Sequence, residues 1–117
     1  MSNILDRLTS LEGVKGVWIS VGGRKKSKIL LSLDDRVKEQ LEQVVNYCQE
    51  IVKGEKIVLG CKTEYDFFLI NVFSSDTYVV VWAGETIDSA ILKMEIDIIL
   101  EEFFENNKSL FKKFKFW

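Results

Sequence analysis

The chain has 117 residues, of which 47% are hydrophobic and 29% charged, and its formal net charge is −2. This length and composition are typical of one soluble globular domain and exclude a disordered or fibrous protein. The weak negative charge argues against a surface built for nucleic acid, and no apolar segment reaches the roughly 18 residues that span a bilayer. The N-terminus lacks the apolar region of a signal peptide, so the sequence predicts a cytoplasmic protein.

The residue types that most enzymes and metal sites need are scarce. The sequence lacks histidine and holds only two cysteines, Cys48 and Cys61. Without histidine, the Ser/His/Asp and Cys/His constellations are excluded, and two cysteines cannot complete the four ligands of a structural zinc site. We therefore predict no catalytic residue, no metal site and no cofactor, and we expect both cysteines to be buried thiols.

The first predicted element is a helix over residues 3–12, NILDRLTSLE, with apolar residues at helical spacing and Gly13 after its end. Two strands are predicted next, GVWISV at 16–21 and KILLSL at 28–33, joined by the turn GGRKKS. The basic residues of this turn are expected at a solvated hairpin tip, and weak contact with an anion is the second interpretation.

A second helix is predicted over 35–53, with Asp34 and Asp35 as N-cap candidates. Three strand-like runs follow, EKIVLGCKTEY, DFFLINVF and TYVVVWAG, and then a long helix from about 87 to 104 that Thr86 or Asp88 caps. Strands that are apolar on both alternating sets need both faces covered. The order α-β-β-α-β-β-β-α thus predicts an α+β fold, a five-stranded antiparallel sheet sandwiched by helices.

The end of the chain has a different composition, so we predict one domain at 1–105 and a basic-aromatic tail at 106–117. The stretch LFKKFKFW fits neither a helical nor a strand pattern. We favour docking of its aromatic side chains onto protein, either the same chain or a dimer mate. A separate partner and an anionic membrane surface are less favoured alternatives, and no nucleic-acid partner is predicted. The candidate anchors are Phe111, Phe114, Phe116 and Trp117.

The stretch LDRLTSLEGVKGVWISV resembles the opening of the roadblock / dynein light-chain family, in which a short helix, a Gly-Val-x-Gly-Val turn and a strand follow one another. The later element order is similar along about residues 4–104. The resemblance implies a roadblock-, longin- or profilin-like sandwich and a non-enzymatic homodimer or heterodimer. Such a dimer would regulate a small Ras-like GTPase, as MglB-type activators do, or would serve as a scaffold in a motor or signalling complex.

The second helix has an apolar arc about 160° wide, running from Tyr47 on one side to Val45 on the other. An arc of about 100° is enough to cover one sheet, so the excess predicts a second contact. Either a neighbouring loop covers it or, as the resemblance implies, the helix pairs with its copy while the 55–63 strand pairs edge to edge. The predicted dimer interface contains Leu41, Val44, Val45, Tyr47, Cys48, Ile51, Ile57, Leu59 and Cys61.

The remaining helical faces carry two further predictions. The opposite face of the second helix is polar, which is ordinary for a solvated surface, but the resemblance implies that a GTPase docks there. The partner-binding candidates are Glu39, Gln43, Asn46 and Glu50. The last helix has two apolar faces, so we expect the first helix to pack beside it and the remainder to form an apolar groove for a partner helix or the tail.

Overall fold

The computed structural model describes residues 2–84 and 88–106. The elements are helix α1 (Ser2–Thr9), strands β1 (Val14–Val21) and β2 (Arg24–Ile29), helix α2 (Asp35–Ile51), strands β3 (Ile57–Lys62), β4 (Asp66–Ser74) and β5 (Thr77–Gly84), and helix α3 (Ser89–Asn106). The strands form one antiparallel sheet in the order β2-β1-β5-β4-β3, which confirms the predicted α+β fold and places β3 at an edge. Within the described ranges, no helix is long and apolar enough to cross a membrane.

Helices cover the two faces of the sheet unequally. On one face, called here the two-helix face, α1 and α3 bury a large cluster that includes Leu8 and Ile96, both 0% exposed. An ion pair of 2.7 Å between Arg7 and Glu102 joins these helices, so the prediction that the first helix packs beside the last is confirmed. On the other face, called the one-helix face, α2 is the only described helix, and it covers a smaller buried cluster of Val45, Cys48, Ile70, Val72 and Val80.

The two glycines of the GVKGV turn are needed for different reasons. Gly13 has φ 83°, a left-handed conformation that side chains rarely adopt, and it redirects the chain from α1 into β1. At Gly16, a Cβ atom would lie 3.1 Å from the Ile29 side chain and 3.2 Å from the Trp82 ring. Close packing of β1 against its two neighbours therefore leaves little room for any other residue there.

The first hairpin differs from the prediction. Gly22 and Gly23 have φ of 58° and 86°, so they form a two-residue turn, and Arg24 is the first paired residue after it. β2 is therefore Arg24–Ile29 rather than 28–33, and the basic residues lie in an exposed edge strand instead of a hairpin tip. The prediction was wrong because it followed apolar side chains, whereas turn geometry sets the register of a hairpin.

Helix termini follow the capping groups. The Asp34 carboxylate accepts a backbone N–H at 2.7 Å, and the Asp88 carboxylate accepts two at 3.0 and 3.2 Å. These contacts confirm one predicted cap for each helix, while the alternative cap Thr86 lies outside the described residues. α1 ends at Thr9 and α2 at Ile51, two to three residues before the predicted ends at 12 and 53.

Candidate partner-binding surfaces

A single helix cannot cover the one-helix face. Five strands at about 4.8 Å spacing form a sheet roughly 19 Å wide, whereas a helix with its side chains is about 10 Å across. α2 packs against β4, and a groove lies along each of its flanks. We call these the β3 groove and the β2 groove after the edge strand that borders each.

The β3 groove is open to solvent, mostly apolar, and has a volume of about 590 Å³. Its lining residues are Gln40, Gln43, Val44, Tyr47, Cys48, Ile51, Ile57 and Leu59. Tyr47, Ile51 and Leu59 are 62%, 47% and 36% exposed, although all three are large and apolar. β3 itself pairs only with β4 among the described strands, so its outer backbone groups face away from the sheet. Exposed apolar side chains beside an open strand edge are typical of a surface that binds another polypeptide.

Six of the nine predicted interface residues line the β3 groove: Val44, Tyr47, Cys48, Ile51, Ile57 and Leu59. Leu41 and Val45 instead lie on the other flank of α2, and Cys61 packs at the edge of the buried α2 cluster. Val45 and Cys48 are also buried within the chain, at 5% and 2% exposure. The sequence had left open that a neighbouring loop covers the excess apolar arc of α2. Because Tyr47 is 62% exposed, no loop of the described residues covers this flank.

The two cysteines are free, and they differ in burial. Burial raises the pKa of the Cys48 thiol above its ordinary value of 9.0, and electrostatic repulsion from Cys61 adds to the increase. Cys48 is therefore kept in its protonated, unreactive form, as expected of a buried thiol. Cys61 is only partly buried, contrary to the expectation for it. The described residues hold no cluster of three or more His, Cys, Asp or Glu side chains that fits a metal ion.

The β2 groove, about 370 Å³, lies between α2 and the edge strand β2. The hairpin register places Lys25 opposite Ser20 and Ser27 opposite Trp18, so both β2 side chains face this groove. The pKa of Tyr78 in the same groove is raised by burial and, to a smaller extent, by the negative charge of Glu42. Sequence reasoning missed this groove because it placed the basic residues at a hairpin tip, although the Gly-Gly turn was the available signal.

Beside the β2 groove, an aromatic row crosses the one-helix face. The ring centroids of Trp18 and Trp82 are 6.4 Å apart, and those of Phe68 and Trp82 are 6.3 Å apart. The Trp82 indole N–H donates to the Asp66 carboxylate at 2.7 Å, and Lys15 pairs with the same oxygen at 3.0 Å. Asp66 therefore satisfies the buried indole and fixes the orientation of the ring.

The four polar partner-binding candidates on α2 form a ridge between the two grooves. Glu39, Gln43, Asn46 and Glu50 are all exposed. Gln43 borders the β3 groove and Asn46 borders the β2 groove. A partner that contacted this ridge would also reach the apolar surface on one flank and the lysines on the other.

α3 presents a second exposed apolar surface. Ile91, Met94 and Ile98 lie on its outer side and are 51%, 56% and 49% exposed. Of the two apolar faces predicted for this helix, the structure thus buries the one that contains Leu92 and Ile96 and leaves the other open. The predicted tail anchors Phe111, Phe114, Phe116 and Trp117 lie outside the described residues.

Comparison with known proteins identifies the fold. No protein-family model matches the sequence, and no curated protein matches it. Among solved structures, a Roadblock/LC7 domain from Streptomyces avermitilis superposes with a TM-score of 0.57, covering 92% of this chain and 94% of that one. The chain has the roadblock/LC7 fold. Because the sequence identity is 14%, the likeness concerns the fold, which the LDRLTSLEGVKGVWISV stretch and the element order had suggested.

Proposed function

We propose that the chain is a non-enzymatic, cytoplasmic, homodimeric module that binds and regulates a small Ras-like GTPase. The observation that carries this proposal is the β3 groove, in which exposed apolar side chains of α2 adjoin an open strand edge. Pairing of β3 with its copy would extend the sheet across the dimer, and the α2 helices would pack against each other. A stable interface of this kind buries on the order of 800 Å² per partner.

The charge of the β3 groove favours a second copy as its occupant. A two-fold interface brings the same surface of both chains together, so any charged residue near the axis meets its own copy and is repelled. None of the described residues that line the groove is charged. Gln40 and Gln43 are its polar members, and glutamine side chains can donate to and accept from one another across such an axis.

The GTPase would bind the polar ridge of α2. In the proposed dimer the two copies of the ridge lie close together and form one acidic, amide-rich platform. Any hydrolysis would belong to the GTPase, with this module holding its switch regions in order. Regulation then requires that the module bind the GTP-loaded state and the GDP-loaded state with different affinity.

A measurement of solution mass tests the dimer. Light scattering over a concentration series should give twice the 13.5 kDa chain mass, and Tyr47→Glu with Leu59→Lys should give a monomer with unchanged circular dichroism. These positions are already exposed, so new charges there should leave the monomer folded. The matched control is Ile91→Glu with Met94→Lys, an equally exposed apolar pair on α3, which should remain dimeric. A monomeric wild type would contradict the proposal.

Binding to purified Ras-like GTPases tests the regulator function. The dimer should retain a GTPase loaded with a non-hydrolysable GTP analogue more strongly than the GDP form, and Glu39→Lys with Glu50→Lys should abolish this retention. Equal retention of both nucleotide states would favour the second candidate, a structural adaptor in a motor or signalling complex. The exposed α3 surface of Ile91, Met94 and Ile98 favours that candidate, because it offers the dimer a second site for a partner.

A further inference from the structure

A third groove, on the two-helix face, has an apolar floor and an acidic rim. It encloses about 560 Å³ between the C-terminal half of α3 and the segment that precedes β3. Its floor contains Leu100 and two rings, Phe73 and Phe104, which meet edge to face with centroids 4.5 Å apart. Its rim consists of one lysine and four carboxylates, namely Lys56, Glu55, Asp97, Glu101 and Glu105. We call it the acidic groove.

One carboxylate oxygen in the acidic groove has no hydrogen-bond donor among the described residues. Asp97 Oδ1 is buried, and no hydrogen-bond donor for it exists among the described residues. A buried carboxylate oxygen without a hydrogen-bond partner destabilises the fold, so native proteins rarely leave one unpaired. The groove is therefore incomplete, and a cationic donor from outside the described residues would complete it.

We propose that the occupant of the acidic groove is the C-terminal segment of the same chain, residues 107–117. This segment has four lysines, no acidic side chain and four large aromatic residues. Its composition complements the groove on both counts, since aromatic side chains fit the apolar floor and ammonium groups fit the carboxylate rim. Phe111 occupies the floor, and the lysines that follow it pair with Asp97 and Glu101.

Residues 107–117 start close enough to the acidic groove, and are long enough, to reach it. α3 ends at Asn106, and Asp97 lies nine residues earlier, which is about 14 Å along a helix that rises 1.5 Å per residue. An extended chain advances about 3.3 Å per residue, so the five residues from 107 to 111 span up to roughly 16 Å. A chain that reverses direction after Asn106 therefore brings Phe111 over the floor without any displacement of α3.

The other two grooves fit this segment less well. None of the described residues that line the β3 groove is charged, so they cannot form ion pairs with four lysines. The β2 groove is lined by Lys25, Lys26 and Lys38 and would repel them. Of these three grooves of the described residues, the acidic groove alone combines an apolar floor with an excess of carboxylates.

Photo-crosslinking tests the proposal. Phe111 is replaced by the photoreactive analogue p-benzoylphenylalanine in the full chain, and a 1:1 mixture of ¹⁴N- and ¹⁵N-labelled protein is irradiated and digested. The expected product joins the tail peptide to residues 97–105 or 55–56 with a single isotope label, which places the segment in the groove of its own chain. Adducts of mixed label would show that a second copy supplies the tail, and an absence of adducts in the groove would leave the tail to a membrane or another partner. Either result overturns the proposal.

Charge variants provide the matched control. Asp97→Asn with Glu101→Gln removes two carboxylates from the rim and should lower the yield of groove adducts at least threefold. Glu12→Gln with Glu95→Gln makes the same change in net charge at residues that do not line the groove and should leave the yield unchanged. An equal yield from both variants would show that the rim does not hold the tail, which contradicts the assignment of its lysines.

Discussion

The two faces of the sheet belong to the same five strands but are covered differently by helices. On the two-helix face, α1 and α3 together are about 20 Å wide, which matches the roughly 19 Å of the five strands. On the one-helix face, α2 covers about half of that width and leaves the β2 and β3 grooves. The two-helix face thus supplies most of the core, and the one-helix face supplies the two grooves that flank α2.

This difference separates the residues that stabilise the fold from those of the proposed dimer interface. The fully buried side chains Leu8 and Ile96 on the two-helix face fix the fold. Tyr47 and Ile51, on α2, are apolar but contribute little to the monomer because about half or more of each side chain is exposed. Substitutions should therefore separate stability from association, and the predictions below test that separation.

The largest expected effect is a matched leucine truncation on the two faces. Leu8→Ala on α1 removes a side chain with 0% exposure and should lower the free energy of unfolding by about 2–5 kcal/mol. Leu41→Ala on α2 removes a partly buried side chain beside the β2 groove and should cost about 1 kcal/mol, because solvent fills the space. Urea denaturation measures both, and equal costs would refute the proposed difference between the faces.

The second effect concerns the aromatic row of the one-helix face. The Trp82 indole N–H donates a hydrogen bond of 2.7 Å to the Asp66 carboxylate, and Asp66→Ala removes this acceptor. We expect a loss of about 1–3 kcal/mol and a changed near-ultraviolet circular dichroism signal from the tryptophans. Asp66→Asn keeps an acceptor oxygen and should lose less, and an equal loss from both variants would assign the effect to the Lys15 ion pair instead.

The third effect is a gain in stability from a substitution on the two-helix face. Asn71 in β4 is 0% exposed, and neither polar atom of its side chain has a hydrogen-bond partner among the described residues. Asn71→Leu is close in size and should raise the free energy of unfolding by about 1–2 kcal/mol, because an apolar group needs no partner. A loss of stability on urea denaturation would contradict this and would indicate a buried water that Asn71 binds.

The element order and the covering of both faces could be predicted because they follow from repeated local signals. Alternating apolar sets in DFFLINVF and TYVVVWAG required two covered faces, and Asp34 and Asp88 marked helix starts. The excess apolar arc of α2 predicted a second contact, which stays a prediction. The structure leaves apolar side chains exposed on the Tyr47 flank and buries Val45 on the other flank. Periodicity gives the width of an arc, whereas the packing of the helix on the sheet decides which flank stays open.

The β2 groove and the acidic groove could not be predicted from the sequence, because they depend on register and on long-range packing. Because Gly22 and Gly23 form a two-residue turn, β2 begins at Arg24 and consists of RKKSKI. Lysines of this strand therefore border the β2 groove. The acidic groove is formed by residues 55–56 and by α3. These segments are about 40 residues apart in the sequence, so no local pattern predicts that they meet. The burial of Asn71 also depends on tertiary packing. The sequence alone does not show that an asparagine within a strand will lack hydrogen-bond partners.

The smallest expected effect is a pH dependence confined to the one-helix face. Burial raises the pKa of Cys48 above 9.0 and that of Tyr78 above 10.0, so the folded chain keeps protons that the unfolded chain releases. The unfolded state then binds fewer protons, and the free energy of unfolding decreases as pH rises. This contribution is fully present below about pH 9 and is lost as the pH rises through the folded-state pKa values.

Urea denaturation between pH 7 and 10.5 measures this dependence. Cys48→Ala should flatten the decrease that begins near pH 9, and Tyr78→Phe should flatten the part above about pH 10, since each variant removes one titrating group. Leu8→Ala is the control on the two-helix face: it should lower stability by the same amount at every pH, because leucine does not titrate. A decrease that survives in the combined Cys48→Ala and Tyr78→Phe variant would place the titrating groups elsewhere and break the assignment to the one-helix face.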